Sequence, residues 1–309
     1  MSNPDISVNF AGCKLANPVL TASGTCGCAD ELGEFFDISA LGGLITKSIT
    51  LKPRLGNDMP RIVETNSGML NAIGLANIGL ERFVAEKIPL IENMDTAVFV
   101  NVAGSEIADY VAVAERLAQE NAISGIELNI SCPNVKQGGI SFGTDPKAVE
   151  QITMAVKSVC GDKPLIVKLT PAVTDITATA KAAVYGGADA ISMINTFTAM
   201  AIDIETKKPV LANRTGGLSG PAIKPVALYL VNKVYNEVAK PCGIELLGGG
   251  GIQTASDAIE FMIAGATAVT VGTATFIKPD TVVDIARGIR QYCKKHSIGD
   301  IKKLTGSLQ

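Results

Sequence analysis

One cysteine stands where proton chemistry is easiest to place. Cys132 lies in Glu127-Leu128-Asn129-Ile130-Ser131-Cys132-Pro133-Asn134, where an apolar run stops and a polar, glycine-bearing stretch to Gly143 begins. A thiol between Ser131 and Pro133 at a strand end is a candidate base, since partial exposure and polar neighbours tune a thiol for proton transfer. The single histidine, His296, follows Cys293-Lys294-Lys295. It reads as a solvated cation at a helix C-terminus. Cys13, Cys160 and Cys242 read as small buried hydrophobes. Cys26-Gly27-Cys28 has no second pair and no nearby histidine, so no metal site is expected there.

Polar residues and glycines end the other apolar runs. They are Ser23, Lys47, Asn101, Asn129, Lys168 and Asn195, then Gly248-Gly249-Gly250-Gly251, then Gly272-Thr273. Two lysines and three asparagines at strand ends, with no acidic majority, predict an anionic or heterocyclic ligand. The amides offer paired donors and acceptors, and a lysine inside a barrel mouth needs an anion. Glycine turns before helices bind phosphate through backbone N–H groups. G-x-G-x-x-G is missing, so a dinucleotide fingerprint is not among the readings.

The elements that must position these groups follow from periodicity. Short runs rich in Val, Ile and Leu predict strands over Pro18–Ala22, Gly43–Lys47, Ala97–Val102, Gly125–Ile130, Pro164–Leu169, Ala190–Ile194, Ile244–Gly248 and Ala268–Gly272. Continuous apolar runs of this length suit strands buried on both faces. Helical patterns alternate with them. Ile107, Tyr110, Val111, Ala114, Leu117 and Ala118 form one stripe. Asp145-Pro146 opens a helix. Gly186-Gly187 closes one. Thr254 to Asp257 resembles a capping box. Eight βα units predict a (β/α)8 TIM barrel spanning residues 1–309 as a single domain, with inserted loops at its C-terminal face. A doubly wound open sheet is the runner-up. Two segments, 50–77 and 195–221, are longer than a connection needs and are expected to be functional loops at that face.

Composition removes other classes. Aromatics are 5%, tryptophan is absent and the net charge is −3 with no basic block. A nucleic-acid platform and a polybasic membrane patch are both unexpected. No apolar run is long enough to span a bilayer. The start lacks the features of a secretory leader. Seven scattered cysteines suit a reducing compartment. The chain is therefore expected in the cytoplasm, bound to neither membrane nor nucleic acid.

A set of motifs then converges on one family. They are Asn17 to Gly24, Thr46-Lys47-Ser48, Ser67 to Leu75, Asn101-Val102-Ala103-Gly104, Asn129 to Asn134, Gly216 to Pro221, Gly248 to Ile252 and Gly272-Thr273. Together they cover nearly the whole chain, which closely resembles the class 1 dihydroorotate dehydrogenases, and among them the NAD-linked, two-subunit type, class 1B. The resemblance implies oxidation of (S)-dihydroorotate to orotate in de novo pyrimidine (UMP) synthesis, with flavin mononucleotide (FMN) at the barrel mouth. It implies flavin contacts at Ser23, Lys47, Ser48, Asn101, Asn129, Lys168, Ile194, Gly220, Gly250, Gly251, Gly272 and Thr273. It implies pyrimidine contacts at Lys47, Asn71, Ala72, Ile73, Gly74, Leu75, Asn129, Asn195 and Thr196, with Cys132 as the catalytic base. It further implies a homodimer of this chain with two partner subunits, a heterotetramer, in which the partner carries FAD and a [2Fe–2S] cluster and reduces NAD⁺. Gly249 stands where many members carry a larger apolar residue, so a looser turn is expected there.

Three rivals are weighed against this reading. A dihydropyrimidine dehydrogenase-type flavin enzyme usually carries histidine where this chain has Asn134. A fumarate-linked class 1A enzyme fits less well at Ser67–Leu75 and Pro209–Asn213. A non-catalytic flavin scaffold would need no base, and Cys132 with Lys47 and Asn71 argues against it.

Overall fold

The computed structural model describes residues 4–28, 31–131 and 142–309. Eight parallel strands close into a barrel. We number them β1 (Val19–Thr21), β2 (Gly43–Ile45), β3 (Ala97–Val102), β4 (Gly125–Asn129), β5 (Leu165–Lys168), β6 (Ala190–Met193), β7 (Glu245–Gly249) and β8 (Ala268–Val271). Each falls on an expected run, with ends moved by a residue or two. The closing pair is β8 with β1, where Val269, Thr270 and Val271 oppose Val19, Leu20 and Thr21. The architecture is the (β/α)8 barrel, and the open-sheet alternative is set aside.

Local signals act where the sequence puts them. Asp145 caps the helix Pro146–Lys157 by accepting from the Lys147 N–H. Thr254 and Asp257 form a reciprocal capping box on the helix Ala255–Ala264. In the helix Ile107–Ala118 the buried face is Tyr110, Val113, Ala114 and Leu117. Val113 is buried, while Val111, expected on the inner face, is half-buried.

The pleat decides which side chains enter the lumen. Residues two apart share a face, so Phe99 and Asn101 on β3 and Glu127 and Asn129 on β4 point the same way. The lower half of this face is apolar. Phe10, from the hairpin Val8–Phe10 with Cys13–Leu15, meets Phe99 edge-on at 6.3 Å and is fully buried. That hairpin plugs the N-terminal end. The upper half is polar, and it faces the C-terminal mouth.

The two long segments are not loops with little structure. Ile62–Thr65 and Gly68–Asn71 from the first, and Phe197–Ala199 and Gly216–Ser219 from the second, make one antiparallel sheet. Its central pairing sets Gly217 opposite Asn71 and Ser219 opposite Met69. Each segment supplies the edge the other needs, because unpaired backbone groups are costly to leave buried.

Two cysteine and turn expectations are corrected. Cys242 is exposed. It ends a short surface helical turn, Lys240–Cys242, before the left-handed Gly243, and so never reaches the core that begins with β7. The turn at Gly249 is tight. A Cβ there would meet the Thr270 hydroxyl at 2.2 Å, so Thr270 on β8 already occupies the space a larger residue would fill.

Candidate active site

Strand register builds the polar half of the mouth. Asn101 on β3 lies opposite Glu127 on β4. Asn129 on β4 lies opposite Lys168 on β5, and Lys168 lies opposite Ser192 on β6. All five are buried. A connected row of hydrogen bonds follows. The Asn101 amide donates to Glu127, and the Ser48 hydroxyl donates to the Asn101 carbonyl oxygen. The Asn129 amide donates to Ser48 Oγ at 3.2 Å, and its carbonyl oxygen accepts from the Ser131 N–H at 3.2 Å. Lys168 Nζ reaches across to Ser23 Oγ at 3.0 Å and lies 3.7 Å from Glu127 Oε2. The Tyr110 hydroxyl steadies β4 from outside by donating to the Asn129 backbone oxygen at 3.0 Å. Ser23, Asn101, Asn129 and Lys168 are thus one cluster, as their places at strand ends predict, and Ser48 joins them.

Lys47 follows β2 and is half-buried. Its backbone N–H donates to Gly27 at 2.8 Å. Among the described residues its ammonium has no hydrogen-bond or ion-pair partner, so this cation is available to a ligand. The turn beneath it is held by Cys26. The Cys26 thiol donates to Thr21 Oγ1 at 3.1 Å and lies 3.2 Å from the Ile45 carbonyl oxygen. Burial pushes its pKa up to about 12, so it stays protonated. Its role is structural packing.

A second cluster forms around glycines. Gly220, Gly250 and Gly251 have φ of 95°, 129° and 84°, the region that side chains resist. A Cβ on Gly251 would lie 2.8 Å from the Gly220 carbonyl oxygen, and one on Gly250 would lie 3.4 Å from Ile194. Thr273 Oγ1 donates to Ser219 Oγ at 2.8 Å. Gly272 packs near Ala22, where a Cβ would sit 3.3 Å away. The ends of β6, β7 and β8 and the Gly216–Ser219 strand therefore meet here. Backbone comes close because side chains are missing, which is the build of a phosphate cradle.

The third group lines the paired segments. The Asn71 amide donates to the Gly217 carbonyl at 3.4 Å. Thr196 stands beside the same residue, since a Cβ on Gly217 would meet Thr196 Oγ1 at 2.0 Å. Asn195 turns back to accept from the Thr196 N–H at 2.8 Å. The 71–75 turn is pinned from outside. Ala72 N–H donates to the Arg61 carbonyl at 2.8 Å, Asn57 N–H to the Ile73 carbonyl at 3.0 Å, and the Asn77 amide to the Leu75 carbonyl at 2.7 Å. Gly74 and Leu75 both have positive φ, at 75° and 59°. Cys132 lies outside the described residues. Ser131, the residue before it, hydrogen-bonds the Lys168 carbonyl at 3.4 Å.

Sequence reasoning missed Glu127. Its signal was present, because a carboxylate flanked by Ile126 and Leu128 in an all-buried strand is a charge that must be held. It missed the contribution of Ser219 as well, which only the pairing of the long segments brings to Thr273.

Comparison with known proteins gives the same frame an identity. The family model described as dihydroorotate dehydrogenase matches residues 5–292. The chain is 52% identical over 309 residues to the dihydroorotate dehydrogenase B (NAD(+)) catalytic subunit of Geotalea daltonii, covering 100% of both chains. It is 52% identical over 308 residues to the protein of that name from Alkaliphilus metalliredigens, again over 100% of both. With the barrel, the polar row and the glycine cradle all inside the matched span, the chain belongs to the dihydroorotate dehydrogenase family.

Proposed function

We propose that this chain is the catalytic subunit of an NAD-linked dihydroorotate dehydrogenase that oxidises dihydroorotate to orotate at the barrel mouth with bound FMN. The observation that carries the reading is the hydrogen-bonded polar row from Ser48 through the buried Asn101 and Asn129, beside Lys168 and Ser23. Such a row suits a flat heterocycle with alternating carbonyl and N–H groups. Full-length identity to relatives of that name supports the substrate and the coupling to NAD⁺.

The residues present fit FMN. At Gly220, Gly250, Gly251 and Gly272 the cradle has backbone where a Cβ would crowd its neighbours, and Thr273 adds a hydroxyl beside Ser219, which suits the phosphate. Ser23, Lys47, Ser48, Asn101, Asn129, Lys168 and Ile194 would hold the ring. When bound, the flavin supplies an acceptor for the hydride leaving C6 of the substrate. The chain supplies the rest. Asn71 to Leu75, Asn129, Asn195, Thr196 and Lys47 would fix the pyrimidine. Cys132 would take the proton from C5. Lys47 and the asparagines would polarise the C4 carbonyl, which stabilises charge developing at C5. Lys168, a buried cation, would offset negative charge on the ring.

Electrons must then leave. The sequence carries no nicotinamide fingerprint and no iron–sulfur cysteine spacing. The relatives are themselves called catalytic subunits. A separate subunit with FAD and [2Fe–2S], in a heterotetramer around a dimer of this chain, would complete the path to NAD⁺.

The test is anaerobic mixing of the purified chain with dihydroorotate while flavin absorbance is followed. Bleaching in one turnover, with no NADH formed by this chain alone, is the expected result. A flavin that stays oxidised would remove dihydroorotate as substrate. Multiple turnovers with fumarate would replace the NAD-linked reading with the fumarate-linked one.

A further inference from the structure

Glu127 has no part in the chemistry above, yet it is wholly buried in the middle of the polar row. It accepts from the Asn101 amide through one oxygen. Its other oxygen is, among the described residues, the one buried side-chain polar atom with no hydrogen-bond partner. The nearest cation is Lys168, whose Nζ is 3.7 Å away and is itself bonded to Ser23.

The orientation of the row follows from Glu127. An ionised carboxylate can only accept. Asn101 must therefore turn its NH₂ toward Glu127 and its oxygen toward Ser48 and Asn129. Ser48 then spends its proton on Asn101 and offers a lone pair to Asn129. Asn129 in turn offers NH₂ to the row and its oxygen to Ser131. One acceptor-only group at the end fixes every amide between it and the mouth. The same carboxylate sets the local charge, since it compensates Lys168 in a region from which water is largely excluded.

We propose that Glu127 is a positioning residue for this site, holding the Asn101–Ser48–Asn129 row in one polarity and lowering the potential of the bound flavin by compensating Lys168. The inference rests on the flavin reading above. Glu127 offsets the charge of Lys168, which without Glu127 would stand as an uncompensated buried cation. An uncompensated cation favours the reduced, more negative flavin and makes its electrons harder to pass on.

The experiment is redox titration of the holoprotein against dyes, with Glu127→Gln, Lys168→Met and the double variant. Glu127→Gln keeps the shape and removes the charge. Its flavin is expected to be more reducible, with the oxidised-to-reduced ratio at a fixed dye potential changed at least about tenfold, which is about 30 mV for a two-electron couple. The shift should shrink in the Lys168→Met background, as coupled neighbours require. If Glu127→Gln does not fold or does not keep flavin, recovery of flavin binding in the double variant supports the compensation, and no recovery overturns it. A Glu127→Gln holoprotein with unchanged potential also overturns it. If the wild-type flavin is not bleached by dihydroorotate, the functional reading fails and not this one, whereas a wild-type chain that binds no flavin overturns both.

Discussion

At the scale of single residues, the sharpest expectation concerns Cys132. Serine differs from cysteine by one atom but is a far weaker acid, so it ionises much less readily as a base near neutral pH. Cys132→Ser should lower single-turnover flavin reduction by about 10²-fold or more, within the usual range for loss of a positioned base. Flavin content should be unchanged, because no flavin contact is assigned to this residue. Stopped-flow absorbance at fixed dihydroorotate checks it, and an unchanged rate would remove Cys132 as the base. The side chains at the mouth were readable from the sequence because strand ends are readable. A run such as Ile126 to Ile130 stops at a fixed point, and whatever follows stands at the barrel mouth. Glu127 was harder to read. Its partners, Asn101 and Lys168, come from other strands, and only cross-strand register brings the three together.

At the scale of elements, the glycine cradle is the testable part. Gly251 has φ of 84°, and a Cβ there would lie 2.8 Å from the Gly220 carbonyl oxygen and 2.9 Å from Lys224 Cβ. Alanine would strain the backbone by about 1–3 kcal/mol or push the β7 end away from Gly220. Gly251→Ala should therefore weaken FMN binding by about tenfold or more, measured by quenching of flavin fluorescence on titrating apoprotein. Gly243→Ala is the control. Its φ is also positive, at 68°, but nothing lies within 4 Å of its would-be Cβ. It should cost some stability and leave FMN affinity alone. Equal losses in both variants would mean that backbone strain, and not closeness to the ligand, decides. The sheet that links the two long segments was invisible in the sequence for a physical reason. Its strands are three or four residues each and about 150 residues apart in the chain across the central pairing. Local pattern carries no information about a partner that distant. The length of the two segments and the motifs at Ser67–Leu75 and Gly216–Pro221 marked them as functional, but not their pairing.

At the scale of the whole molecule, the barrel separates a reacting end from a closing end, and the closing end has its own electrostatics. Glu245 opens β7 at the N-terminal side and accepts from the Ala11 N–H at 2.6 Å, tying the plugging hairpin to the barrel. Burial raises its pKa, only partly offset by the Ala11 N–H and the charge of Lys302. A carboxyl whose folded pKa lies above its unfolded value binds its proton more tightly in the fold. Its contribution is fully present below the unfolded pKa and is lost as pH rises through the folded one. At neutral pH the fold thus carries the cost of a half-buried charge. Glu245→Gln keeps an oxygen for Ala11 and removes that cost, so its melting temperature at pH 7 should rise by about 0.5 °C, the scale of a few tenths of a kcal/mol in a chain of this size. The gap should close as pH falls toward about 4, where the native carboxyl is itself protonated. Flavin bleaching by dihydroorotate should not change, because the substitution sits at the opposite end from the mouth. A variant that melts lower at pH 7 would mean that the ionised carboxylate holds the hairpin through Ala11 and Lys302 more strongly than burial opposes it.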